Sequence, residues 1–184
     1  TLLISIGVQI YLRSTFSKWS NVRNSTGQAG VQVVKQLFDR TSLQPIRVER
    51  TSGTMTDHFD PGANTVRLSD PVATKPSVAS MAVTAHELGH VQQYQTGSGL
   101  IKMRSFLLPA LQFSPTVSYI AIFFGLIFNM VNLIWIGIIF FGLMVLFSIL
   151  TLPVEIDASR RALAMLSETG IAQTDEDRTG ARKV

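Results

Sequence analysis

The sequence predicts a mostly helical α+β protein embedded in a membrane, and three observations lead there. First, 46 consecutive residues, Ser105 to Leu150, contain no Asp, Glu, Lys, Arg or His. Second, only 15% of the 184 residues are charged and mean hydropathy is +0.29, where soluble domains carry about a quarter charged residues. Third, the more polar remainder mixes helical apolar spacing with short extended runs, so helices and a small sheet share it. The length suits one domain and is short for two.

Taken in order, Thr1–Leu12 is apolar up to Arg13 and too short to span a bilayer by itself. It lacks the basic leader of a signal peptide. We read residues 1–15 as the cytoplasmic end of a transmembrane helix; an interfacial helix is the alternative. Thr26 is placed to cap a helix over about 27–39, with Ala29, Val33, Val34 and Leu37 on one face. Three extended runs follow, Pro45–Arg50, Thr54–Phe59 and Thr65–Ser69, the last two joined by the turn-forming Asp60-Pro61-Gly62-Ala63-Asn64. They predict a small antiparallel sheet. A long helix runs from about Ser77 to Thr96 and closes at Gly97.

One helix of 46 residues would be about 69 Å long, over twice the hydrocarbon thickness. The uncharged stretch therefore predicts two spans, about Pro109–Phe128 and Val131–Thr151, with a turn at Asn129–Asn132. Pro109 suits a first turn, where its missing N–H costs nothing. Pro153 starts a further helix ending near Gly170, and Thr174 with Asp177 forms a capping box for a last one.

The net charge is +4, but the basic residues are dispersed, with no Lys/Arg run and no aromatic platform, which argues against nucleic acid. They flank the apolar segments: Arg13, Lys18 and Arg23, then Lys102 and Arg104, then Arg160 and Arg161. The turn at 129–132 carries no charge. The positive-inside rule then places 13–104 and 152–184 in the cytoplasm of a multi-pass membrane protein.

There is no cysteine, which excludes disulfide scaffolds, thiolate metal sites and cysteine nucleophiles. His86-Glu87-Leu88-Gly89-His90 lies inside the Ser77–Thr96 helix. Residues four apart share a helical face, so both imidazoles can reach one metal ion, with Glu87 beside its open position to take a proton from bound water. A third ligand is needed. Gln93 and Thr96 rule out the extended three-histidine pattern, leaving His58, Glu155, Asp157 and other acids. Glu155 leads, because an apolar hairpin starting just after the His86/His90 helix returns it to the same membrane face. Asp157 is rotated from it by about 200° and pairs more naturally with Arg161 at i+4. Ser159, i+4 from Glu155, suits a hydrogen bond to a ligand.

The segments His86–Gln93 and Leu-Pro-Val-Glu-Ile-Asp-Ala-Ser-Arg-Arg-Ala-Leu (152–163), separated by an apolar hairpin, resemble the YugP-like neutral zinc metallopeptidases of prokaryotic membranes. Thr56–Pro61 leading to Val66–Ser69, and Gly180–Val184, are similar too, so the resemblance spans nearly the whole chain. It implies a membrane-embedded gluzincin, a zincin-like fold with one catalytic Zn2+ on His86, His90 and Glu155, and Glu87 as catalyst. It also implies further membrane spans at both ends. More distantly, the arrangement is similar to the heat-shock and CAAX-processing membrane proteases. Those carry Glu-x-x-x-Asp, where this chain has Ser159, leaving open what orients His86.

On this reading 24–100 is the cytoplasmic catalytic part, 105–151 the membrane hairpin and 152–184 the helix bringing Glu155. His58 is a candidate for substrate or oxyanion binding, with a plain surface histidine and a metal ligand as alternatives. Arg182 and Arg178 can reach an oxyanion if the last helix folds back, or face lipid headgroups. The expected activity is peptide-bond hydrolysis by a zinc-activated water at the cytoplasmic membrane face, on peptide or protein substrates that include membrane proteins. The expected partners are the lipid bilayer, with oligomers or a regulatory membrane subunit left open, and no nucleic acid. The rival readings are a non-proteolytic membrane scaffold of the same fold and a zinc hydrolase of non-peptide substrates.

Overall fold

The computed structural model describes the backbone of residues 2–184 and the side chains of 6–99, 101–103, 106 and 113–184. Ten elements follow one another: α1 (Leu2–Ser20), α2 (Gly30–Arg40), β1 (Arg47–Thr51), β2 (His58–Asp60), β3 (Thr65–Ser69), α3 (Asp70–Thr74), α4 (Val78–Gln95), α5 (Gly99–Ile127), α6 (Val131–Glu168) and α7 (Asp175–Lys183). They form two compact units, one combining the chain up to Thr96 with Asp157–Val184, the other Gly97–Ile156.

In the first unit α4 is the hub. Small residues (Ala79, Ala82, Ala85, Gly89) alternate with Val78, Met81, Leu88 and Val91, so it has no polar stripe and is buried on most sides. Helices α1, α2, α3 and α7 and strands β2 and β3 pack around it. Its start is fixed by Ser77, whose hydroxyl accepts the Ser80 N–H at 3.1 Å. The amphipathic α2 turns Val33, Val34 and Leu37 inward. It begins at Gly30, later than the expected 27, and Thr26 does not cap it. Instead the Asn24 side chain organises the approach, its Oδ1 accepting from Gln28 N (3.1 Å) and Thr26 Oγ1 (3.2 Å) and its Nδ2 donating to Ser77 O (3.0 Å). Trp19, which by sequence suits a membrane interface, is only 6% exposed and belongs to this core.

The sheet is mixed, not antiparallel. Its order is β1-β3-β2, with β2 antiparallel to β3 (His58 opposite Arg67) and β1 parallel to it (Val48 beside Val66). Two successive reversals leave β1 and β3 pointing the same way, so a fully antiparallel sheet needs β2 in the middle. Burial puts β3 there: Val66 and Leu68 are fully buried, whereas β2 is short and partly exposed.

The capping box at α7 forms as expected. Thr174 accepts the Asp177 N–H at 3.1 Å, while the Asp177 carboxylate accepts from Thr174 N and Gln173 N. That buried carboxylate also takes the Ser25 N–H (3.2 Å) and the Ser25 hydroxyl, tying α7 to the segment before α2.

In the second unit α5 begins at Gly99, so Pro109 lies within it and not in its first turn. Asn129, with φ +52°, lies in the turn into α6. Ser118 Oγ donates to Gly137 O at 2.9 Å, and a Cβ at Gly137 would come within 2.9 Å of Ser118 O, so glycine permits this approach. Among the described residues α6 is the helix long and apolar enough to cross a membrane, with mean hydropathy 2.8 over its best window; Phe113–Ile127 is a shorter apolar stretch.

Pro153 does not start a new helix. It lies inside α6, which runs unbroken for 38 residues. Proline removes the bond to the carbonyl four residues back and normally breaks a helix. The bond lost here is the one to Ile149 O, and the helix runs on through regular turns on both sides of it.

Candidate metal centre

The site is assembled at the crossing of α4 and the C-terminal part of α6. Gly89, inside the His86–His90 pentapeptide, is what allows it: a Cβ there would collide with the backbone carbonyl of Ala158. Bare backbone on backbone sets the two helices close enough for short polar side chains to meet.

Ligand atoms of His86, His90 and Glu155 lie within 4.8 Å of one another. The two imidazoles stand edge to face, with ring centroids 4.8 Å apart. Tetrahedral ligands about 2.1 Å from one zinc ion lie roughly 3.4 Å from each other, so side-chain movements of about 1.5 Å at most let the three share an ion. Two imidazoles and one carboxylate, with a fourth position left to water, are a donor set that fits zinc. Glu87 is buried at 7% exposure and His90 at 3%, while His86 and Glu155 are half-buried.

Each histidine has a polar partner behind it. Ser159 Oγ lies 3.2 Å from His86 Nδ1. His90 Nδ1 lies 3.0 Å from Gln93 Oε1, and Gln93 Nε2 donates to Asp157 Oδ2 at 2.8 Å. Asp157 also accepts from Arg161 Nε at 2.7 Å, the i+4 pair expected from sequence. Gln93 was passed over in the sequence as a non-ligand. Its spacing of three from His90, which puts both on one face, is the signal that points to it.

Beside the site is a cleft of about 400 Å³. His86, Glu87 and Ser159 line one part; Phe16, Met55 and Leu163 give it apolar walls, and Arg182 also lines it. Asp57 also lines it while accepting the Ser69 N–H (2.7 Å) and hydroxyl at the start of α3. His58 is neither in the ligand group nor among the cleft-lining residues. It is exposed on β2, with Nδ1 2.9 Å from Thr56 O and Nε2 3.4 Å from an Arg67 guanidinium nitrogen. Arg67 in turn binds Asp60 at 2.8 Å and Glu49 at 3.2 Å. The Arg67 hydrogen bond holds the Asp60 carboxyl below the ordinary aspartate value, helped by the N–H groups of Ala63 and Gly62; Asp60 correspondingly raises the Arg67 guanidinium.

Helices that present two imidazoles, a carboxylate and a buried glutamate beside a cleft have the donor set of a zinc-dependent hydrolase. The chain belongs to the family described as "putative neutral zinc metallopeptidase", whose family model matches residues 1–184. It is similar to the "putative membrane protease YugP" of Bacillus subtilis (strain 168), with 35% identity over 181 residues, covering 98% of this chain and 80% of the relative. No solved structure matches it.

Proposed function

We propose that this chain is a membrane-embedded zinc endopeptidase that cleaves peptide bonds at the cytoplasmic membrane face. The observation that carries the reading is the convergence of His86, His90 and Glu155 ligand atoms within 4.8 Å, beside the buried Glu87. Membership in a zinc metallopeptidase family and similarity to a protein named as a membrane protease support it.

His86, His90 and Glu155 would hold the ion. When bound, zinc lowers the pKa of a coordinated water and polarises a carbonyl oxygen. Glu87 does the proton work: its carboxylate takes a proton from the attacking water and then passes it to the departing amine. Ser159 steadies the His86 ring, and the cleft beside Glu87 receives the peptide, its apolar walls suiting a hydrophobic side chain. Arg182, which also lines the cleft, is placed to meet a carbonyl or carboxylate of the substrate.

The apolar length of α6 and the apolar stretch Phe113–Ile127 are read as a hairpin through the bilayer, its uncharged turn outside and the basic flanks inside. The test is metal analysis of the purified chain together with a casein cleavage assay. Stoichiometric zinc and cleavage abolished by chelator and restored by added zinc are expected. A zinc-free chain, or cleavage indifferent to chelator, would overturn the proposal.

A further inference from the structure

We propose that Asp157 sets the tautomer of His90 through the amide of Gln93, so that His90 presents its Nε2 lone pair to the metal; this rests on the metal-centre reading above. An ionised carboxylate only accepts hydrogen bonds, so the 2.8 Å contact with Asp157 Oδ2 requires the NH2 end of the Gln93 amide. The amide oxygen is thereby turned toward His90, where Oε1 lies 3.0 Å from Nδ1. Oxygen accepts there, so Nδ1 carries the proton. A neutral imidazole has one N–H, which makes Nε2 the nitrogen that carries the in-plane lone pair.

Arg161 anchors the far end of this relay. Its Nε donates to the same Asp157 oxygen at 2.7 Å, and a terminal nitrogen reaches Gln92 Oε1 at 3.4 Å. Gln93 is fully buried and His90 nearly so, so water is a poor substitute for either bond. Asp157 is therefore a positioning residue. It is turned away from the metal, yet it determines which histidine nitrogen the metal meets. This gives the neighbouring acids of Glu155-Ile156-Asp157 different tasks on one helix: ligand and orienter.

The test uses the full chain in detergent, with zinc affinity read by chelator competition and nitrogen-15 spectra of the metal-free imidazoles at pH 8. His90 is expected to show a protonated Nδ1 and a bare Nε2. Gln93→Leu should lower zinc affinity about 10–100-fold, the usual cost of losing a group that orients a ligand. Gln93→Glu should also weaken binding, because it sets two carboxylates against each other. A protonated Nε2 on His90, or wild-type affinity in Gln93→Leu, would overturn the relay while leaving the zinc site standing. A wild-type chain that binds no zinc would overturn both.

Discussion

The carbonyl of Ala158 occupies the space where a Cβ on Gly89 would be, so α4 and α6 cross in contact through their backbones within the His86–His90 pentapeptide. Replacing Gly89 by alanine gains about 1 kcal/mol of helix propensity, but overpacking against a rigid backbone costs about 1–3 kcal/mol. The helices must separate, and Ser159 moves off His86. Gly89→Ala is expected to lower both the melting temperature and zinc affinity. Wild-type values of both would show that the crossing tolerates a methyl group.

Glu87 is the residue assigned to proton transfer and not to metal binding. Glu87→Gln keeps its shape and removes its basicity, so zinc content should stay at the wild-type level while turnover falls about 10²–10⁴-fold, the range for a lost general base. Zinc analysis alongside peptide cleavage separates the two effects. Full activity in this variant would refute the mechanism.

Glu155 and Asp157 are two residues apart on α6 with opposite outlooks. Glu155→Ala should empty the site, because two imidazoles alone hold zinc poorly. Asp157→Ala should leave it occupied at saturating zinc, with affinity reduced about 10–100-fold through His90. Equal occupancy in the two variants, measured by metal analysis, would sink the assignment.

Acid should weaken the sheet in a defined window. Asp60 is held below its ordinary value by Arg67, so the folded form binds protons less readily than the unfolded chain. Its contribution is complete above the unfolded aspartate value near 3.9 and is lost as pH falls through the lower folded value. The effect is modest, because the pair is partly exposed and salt screens it. Melting temperatures of wild type and Asp60→Asn should differ at pH 6 and converge toward pH 2. A difference independent of pH would remove the ion pair as its cause.

Native absence of cysteine makes membrane orientation directly readable. Asn132→Cys, in the first turn of α6, should react with a membrane-impermeant maleimide in intact cells. Lys75→Cys, on the exposed end of α3, should react only after permeabilisation. The reverse pattern would invert the proposed topology.

Much of this was legible in the sequence where neighbours on one helix decide the outcome. The pentapeptide His86–His90 on α4, the Asp157–Arg161 pair and the capping box of Thr174 and Asp177 are all i+3 or i+4 relationships, fixed by helical geometry alone. Strand order was not legible, because apolar spacing shows which residues of β3 are buried but not which strand lies between the others. Nor was the continuity of α6 through Pro153: the penalty of a lost backbone bond is local, whereas the run of regular turns on both sides keeps the helix whole.

By itself the sequence determined the donor chemistry of this protein: without cysteine, and with two histidines one turn apart, a metal could be held only by imidazole and carboxylate. What the tertiary structure alone decided is how those donors are held, through Gly89 against Ala158 and through His90, Gln93, Asp157 and Arg161 in one chain of hydrogen bonds. The physical reason is range. Residue type and helical period act over one or two turns, whereas the partner behind His90 lies 64 residues beyond Gln93 and is specified only once two helices have packed.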